Sequence, residues 1–432
     1  MKRCIAIDIG ASSGRHIVGW MKDGQIQTEE LYRFPNGPLE QDGHLIWDME
    51  RLFQEVKNGL KVCFEKYPDV ASVSIDTWAI DYMRLKGDES LGPVYCYRDP
   101  RTEEAIKRVH EIIPFEELYA RTGMQFQAFN TIYQLYTDKD AGRLKGVTDF
   151  LMVPEYLMYR LTGVKKKEYT NASTTGLINV TTKEFDPEII ERLGPPKHLF
   201  GKLYEGGESL GMLLPEVAKE VGGNTEVKLC LTHDTASAVY ALPGDGPYIS
   251  SGTWSLLGIC CEEAHTDAAS MAANFSNEGG IRRTFRYQKN IMGMWVVNNV
   301  CKENGITPPE LAAFSDESAY EGIADVNHPD FMAPDNMTNT LLAHLAKAGF
   351  DAPKDIKDIS RAVLASLAKS YADSVKVIED AAGKTYDTLT IVGGGAKNKQ
   401  LNALTEKMSK KQVIALPIEA TAIGNLKIQL ED

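Results

Sequence analysis

Apolar positions gather first in a short run, RCIAIDI (3–9), which stops at Gly10. A run of that length, closed by a glycine, predicts a buried strand. Small residues from Ala11 to Gly14 then make a turn, and HIVGW (16–20) predicts a second strand. Asp23-Gly24 is a hairpin signal, after which residues 25–34 alternate as a third strand. The period lengthens over about 47–65, which predicts a helix with Asp48 near its first turn. SVSID (72–76) returns to strand.

The same opening recurs later in the chain. PYISSGTWSLLGICC (247–261) reads as an apolar strand, a small-residue turn at Ser251-Gly252-Thr253 and a second apolar strand. A long helix is expected at about 358–382, then the strand TLTIV running into Gly393-Gly394-Gly395. QVIAL (412–416) predicts a short strand and 419–430 a last helix, with Ala420, Ile423, Leu426 and Leu430 on one face. Two strand–turn–strand openings, each heading its own α/β segment, predict two domains of one design. ALPGDGP (241–247) collects proline and glycine, which sets the expected boundary near residues 240–246.

Composition narrows the choice of partners. The 432 residues suit two or three domains at ~100–200 residues each. Hydrophobic residues make up 43% and charged residues 25%, as in ordinary globular enzymes. A formal net charge of -13 argues against nucleic acid as a partner, and any anionic ligand would need a metal ion or backbone N–H groups to offset its charge. Seven cysteines, an odd number without a C-x-x-C pair, argue against a disulfide framework or structural zinc and fit a reducing cytoplasm. The start MKRCIAIDIG meets Asp8 too early for a signal peptide, and no apolar run approaches ~18 residues, so no membrane span is expected.

Four segments carry candidate chemistry. In Asp8-Ile9-Gly10-Ala11-Ser12-Ser13-Gly14-Arg15, small residues would let backbone N–H groups approach phosphate oxygens, and a carboxylate at a strand end can hold Mg²⁺. A plain hairpin with a solvated aspartate is the alternative. His233-Asp234-Thr235 follows the apolar KLCL (228–231). Its carboxylate could take a proton from a substrate hydroxyl, or it could cap a helix over Thr235–Tyr240. The triplet Gly393–Gly395 suits close approach of a ligand or a simple turn, and Ser251-Gly252-Thr253 is a second candidate phosphate turn. Gly383-Lys384-Thr385 ends like a P-loop, but it follows a helix and has Ile378 where the first glycine should stand, so Gly383 reads as a helix stop. His16, His44, His110, His198, His265, His328 and His344 show no metal spacing and read as structural or surface residues.

Taken together, the segments resemble the FGGY carbohydrate kinases. The matching stretches are DIGASSGR (8–15), SIDTWAIDY (74–82), YRDPRT (97–102), GMQFQAFNTIYQLY (123–136), MVPEYLMYRLTG (152–163), EYTNASTTGL (168–177), THDTASAV (232–239), ISSGTWSLLG (249–258), NFSNEGG (274–280), KNIMGMW (289–295), IVGGGAKN (391–398) and EATAIGN (419–425). They run in the family's order from residue 8 to residue 425.

The resemblance implies an α/β fold of two actin-like, ribonuclease-H-like domains with an intervening cleft. Residues 1–242 would hold the sugar and the base; residues 243–432 would hold the nucleotide and be short at their C-terminal end. The implied reaction is transfer of phosphate from ATP, with Mg²⁺, to the 1-hydroxyl of a ketose. L-rhamnulose is the first candidate, with L-fuculose or L-xylulose as alternatives. Asp234 would be the base, and Asp8 would hold the metal. Ala11, Ser12, Ser13, Gly14, Arg15 and Thr253 would meet the phosphates. Gly393, Gly394, Gly395 and Asn298 would lie by the nucleotide, and Ala79, His233, Thr235 and Asn290 by the sugar. Two positions depart from the family pattern: Ala79 stands where glycine is usual and Asn298 where glutamine is usual. A non-kinase actin-like ATPase and a sugar-binding protein of weak activity are the competing readings. Sugar-stimulated ADP release separates the kinase from both.

Overall fold

The computed structural model describes residues 1–416 and 419–431. They fall into two units, each with its own sheet. The first contains Met1–Ala241, Cys261–Arg286 and the segment from Ala420 onward; the second contains Leu242–Cys260 and Tyr287–Glu419.

In the first unit the strand Arg3–Ile9 lies at the centre of a six-stranded sheet. It pairs antiparallel with Ser13–Lys22, which pairs with Gln25–Pro35, and parallel with Ser72–Thr77 on its other side. Glu226–Lys228 continues the sheet in parallel, and Ser209–Met212 closes it antiparallel. The central strands are buried on both faces, which is why Arg3–Ile9 and Ser72–Thr77 read as apolar runs rather than alternations. The helix Met49–Lys66 is N-capped by Asp48, whose carboxylate accepts from the Arg51 N–H at 2.9 Å. Its apolar stripe, including Leu52, Val56, Leu60 and Phe64, joins Ile5, Ile7, Val73 and Ile75 in the main core.

The second unit repeats the design. Tyr248–Ser251 pairs antiparallel with Ser255–Cys261 and parallel with Thr388–Val392, beyond which Gln412–Leu416 adds a further parallel strand. The helix Ile356–Ala382 ends at Gly383, whose φ of 63° is the left-handed conformation of a helix stop.

Chain order and packing part company at the end. A single cut near 242 would assign residues 243–432 to the second unit, but the chain returns twice to the first. The helix Ala420–Leu430 lays Ala422 and Leu426 against Cys4, Ala6 and Ile17, and Ile428 against Leu231 and Ala236. Its polar residues are used as fully. Gln429 donates to the Ile5 carbonyl at 3.0 Å and accepts from the Ser72 hydroxyl at 2.7 Å. A β-carbon on Gly424 would lie 1.8 Å from the Ser237 carbonyl oxygen, so only glycine lets this helix approach Asp234–Tyr240 so closely. The apolar face of this last helix is thus covered in the first unit; Asp432 lies outside the described residues. No helix among the described residues is long and apolar enough to cross a membrane.

Candidate active site

Parallel strands in the first unit end at one edge of the sheet, and the carboxylates collect there. Asp8 is in register with Asp76 on one side and with Arg15 on the other. Arg15 donates from Nε at 3.0 Å and from Nη2 at 2.8 Å, both to Asp8 Oδ2. Asp76 is wholly buried; its Oδ2 accepts from Asn425 Nδ2 at 2.5 Å, and its Oδ1 has no partner among the described residues. Burial first, then the charge of Asp8, pushes the Asp76 pKa well above the usual carboxylate range.

The turn after Asp8 presents Ala11, Ser12 and Ser13 at the surface, with Ser12 the most exposed. Asn36 occupies its carbonyls: the side chain donates to Gly10 at 2.8 Å and the backbone N–H to Ser12 at 2.9 Å. Gly14 is buried, and a β-carbon there would strike the Phe34 ring at 2.1 Å, so close packing requires this glycine. Arg15 is committed to Asp8.

Asp234 sits one strand further along the same edge. The Thr77 N–H donates to the Thr232 carbonyl at 3.0 Å and Thr77 bridges to His233, which brings the turn after Ser72–Thr77 beside the His-Asp-Thr segment. His233 is the N-cap position of the helix and Asp234 its first residue, so Asp234 is not the cap. The Thr235 N–H and hydroxyl bond Asp234 Oδ1 at 2.5 and 3.1 Å, and His233 Nε2 lies 3.4 Å from the same oxygen. No hydrogen bond to Oδ2 is found among the described residues. Although 30% of its side chain is open, Asp234 has a raised pKa, from burial above all, with Asp8 adding and His233 opposing.

Behind His233 stands a buried pair. Arg286 Nη2 meets Glu278 Oε2 at 2.9 Å and His233 Nδ1 at 3.0 Å, and its Nε donates to the Gly279 carbonyl. The same Nδ1 lies 3.3 Å from Glu278 Oε2, while Nε2 faces Asp234 Oδ1 at 3.4 Å. Burial alone would raise the Glu278 pKa. The Arg286 charge, with His233 and Ser276 beside it, overrides that and holds it at about 2.

Ala79 is buried in a turn held under strain. Ile80 next to it has φ 81°, an unusual conformation for a β-branched residue, and its carbonyl is pinned by the Thr131 hydroxyl at 2.7 Å. Asp81 locks the turn by accepting from Trp47 Nε1 (2.7 Å), Trp78 Nε1 (3.0 Å), Gln134 Nε2 (3.0 Å) and the Tyr97 N–H (3.1 Å).

The second unit gathers the remaining predicted residues. Gly252 and Thr253 are exposed, and their carbonyls accept from the Met294 and Trp295 N–H groups at 3.2 and 3.0 Å. The glycine triplet divides by role. β-Carbons on Gly393 and Gly395 would come within 2.7 Å and 1.9 Å of Ser251, whereas Gly394 meets nothing and lines an open cavity of about 610 Å³. Pro308, Pro309, Ala312 and Ala313 form the cavity's apolar wall. Asn298 is exposed on the helix Met294–Asn304. Asn290 keeps a buried Oδ1 that has no partner among the described residues.

Sequence reasoning missed Asp76, Glu278, Arg286, Asn425 and the cavity wall. NFSNEGG and EATAIGN carried two of them, Glu278 and Asn425, but without a strand end or glycine turn to point at a role.

A hairpin joined to a parallel strand, built twice, is the core of the actin-like kinase fold. A xylulose kinase from Lactobacillus acidophilus superposes with a TM-score of 0.83 over 99% of this chain and 89% of its own, at 16% identity. A Plasmodium falciparum glycerol kinase gives 0.77 over the same shares at 14% identity. The fold is thus that of the two-domain sugar kinases. The chain belongs to the FGGY family of carbohydrate kinases: residues 3–241 match the family's N-terminal domain and residues 247–430 its C-terminal domain. Among similar proteins, a rhamnulokinase of Halalkalibacterium halodurans is 43% identical over 99% of this chain and 93% of its own length. One from Bacillus subtilis is 39% identical over 98% and 89%.

Proposed function

We propose that the chain transfers the terminal phosphoryl group of ATP to the 1-hydroxyl of L-rhamnulose, giving L-rhamnulose 1-phosphate and ADP. The observation that carries the reaction is Asp234, the first residue of its helix beside the end of the strand Ser72–Thr77, with 30% of its side chain exposed and its Oδ1 engaged by Thr235 and His233. The identity of the ketose rests on relatives named rhamnulokinase that are 43% and 39% identical over nearly the whole chain.

Phosphoryl transfer needs positioning and charge neutralisation more than covalent chemistry. Asp234 Oδ2 accepts the proton of the sugar 1-hydroxyl, and the raised pKa suits it to hold that proton. His233 Nε2, 3.4 Å from Asp234 Oδ1, orients the carboxylate. Ala79, through its backbone, and Thr235 border the sugar, and Asn290 remains a candidate sugar contact. The turn Ala11–Ser13 and Thr253 offer N–H groups to the phosphates. The apolar wall at Pro308–Ala313, with Gly394, accommodates the adenine. Asn298 remains a candidate nucleotide contact, and Gly14, Gly393 and Gly395 support the turns by close packing.

Mg²⁺ fits the carboxylate edge, because the Arg15 hydrogen bonds seen to Asp8 both fall on Oδ2 and Asp76 Oδ1 is a buried acceptor with no partner among the described residues. When bound, it would neutralise the β- and γ-phosphate oxygens. The partners of this reading are a small ketose and ATP, in the cytoplasm. The test is product analysis: ³¹P NMR of the reaction with L-rhamnulose should give a single new ester at the 1-position, and an ester elsewhere or free phosphate alone would refute it.

A further inference from the structure

The geometry points to a binding site for a zinc-class transition metal in the second unit, formed by His328, Asp330 and His344. Asp330 Oδ2 lies 3.3 Å from His328 Nδ1, which also accepts from the Asp330 backbone N–H at 3.3 Å, and 2.9 Å from His344 Nε2. The three ligand atoms all lie within 4.8 Å of one another. Bonds of ~2.0–2.1 Å to a tetrahedral zinc ion set its ligand atoms about 3.3 Å apart. Two of the three separations therefore stand near that value already. The third closes by turning His328, whose side chain is 38% exposed and whose Nδ1 then exchanges the Asp330 N–H for the metal.

The scaffold holds these groups in place. His328 and Asp330 flank Pro329 at the turn Pro329–Phe331, which is anchored by the fully buried Phe331 and by Trp295 Nε1, 3.2 Å from the Phe331 carbonyl. His344 projects from the helix Met337–Lys347 with only 10% of its side chain exposed, its ring 5.0 Å from that of Phe331 and 4.7 Å from that of His328. A preset imidazole on a helix thus faces a second imidazole and a carboxylate on an anchored turn. The open side of Asp330 leaves room for a water as the fourth ligand. Two nitrogens and one carboxylate oxygen suit Zn²⁺, Co²⁺ or Ni²⁺, whereas Mg²⁺ and Ca²⁺ prefer oxygen ligands throughout. The site is distinct from the Asp8 edge, which lies in the first unit. A metal here ties the turn to the helix, so its effect is to stabilise the second unit.

The experiment uses the full chain without an affinity tag, stripped with chelator, and titrates Zn²⁺ by calorimetry and Co²⁺ by its visible absorption. One equivalent should bind, with the intense bands of four-coordinate cobalt, and Zn²⁺ should raise the thermal midpoint. His328→Ala and Asp330→Asn alter exposed side chains and keep the fold, and each should weaken binding by roughly tenfold or more. His344→Gln should abolish the cobalt bands. Absence of stoichiometric binding overturns the proposal, as does binding of undiminished affinity in His328→Ala and Asp330→Asn.

Discussion

Replacing Glu278 with glutamine tests the buried support behind the proposed base. Glutamine keeps the shape and removes the charge, leaving Arg286 1% exposed and without that counter-ion. The Glu278 pKa lies at about 2 against 4.5 for a free carboxyl. At ~1.36 kcal/mol per pKa unit, that gap corresponds to roughly 3 kcal/mol of stability. Breaking a buried pair from one side costs about 3–5 kcal/mol, in agreement. The sign follows from the lowered pKa. The contribution is complete above pH 4.5, falls as the pH drops from 4.5 toward 2, and is gone below that. Urea unfolding of both proteins across this range is the assay. Glu278→Gln should be about 3 kcal/mol less stable at neutral pH, with the difference shrinking below pH 4.5. A loss under ~1 kcal/mol at neutral pH, or a difference that does not change in acid, would refute the reasoning.

Asp8→Ala should weaken the magnesium dependence of turnover far more than sugar binding; an unchanged Mg²⁺ titration would mean the metal is held elsewhere. Ala79→Gly, in the turn strained at Ile80, should move KM for the ketose more than KM for ATP, and a change confined to ATP would take the residue out of the sugar site. Gly424→Ala forces a methyl onto the Ser237 carbonyl and should cost about 1–3 kcal/mol or more in a denaturation curve. Wild-type stability would contradict the close packing of the last helix.

The strands and turns that frame the site were legible because each is local. A run of apolar residues ending in glycine, Asp48 before a helical period and Gly383 after one each act through neighbours a few residues away. Asp8 and Asp234 drew attention for the same reason, as carboxylates near the ends of apolar runs. What the sequence concealed depends on distant partners. Asn425 reaches Asp76 across 349 residues, and Arg286 reaches His233 across 53. His328 and His344 read as isolated until the turn and helix bring them to one carboxylate. The Gly393–Gly395 triplet looked uniform, yet two of its members are required by contact with Ser251 and only Gly394 borders the cavity. The last helix looked like part of the second unit because it follows it in the chain, whereas its apolar face and its glutamine fit the first strand.

The most direct measurement is ADP formation with ATP–Mg²⁺ and a panel of L-rhamnulose, L-fuculose, L-xylulose or no sugar, for the native chain and Asp234→Asn. The account predicts strong stimulation of the native chain, greatest with L-rhamnulose. Asp234→Asn should lower kcat by roughly 10²–10⁴ while still binding the sugar. ADP release indifferent to sugar, or near-normal turnover in Asp234→Asn, would contradict it.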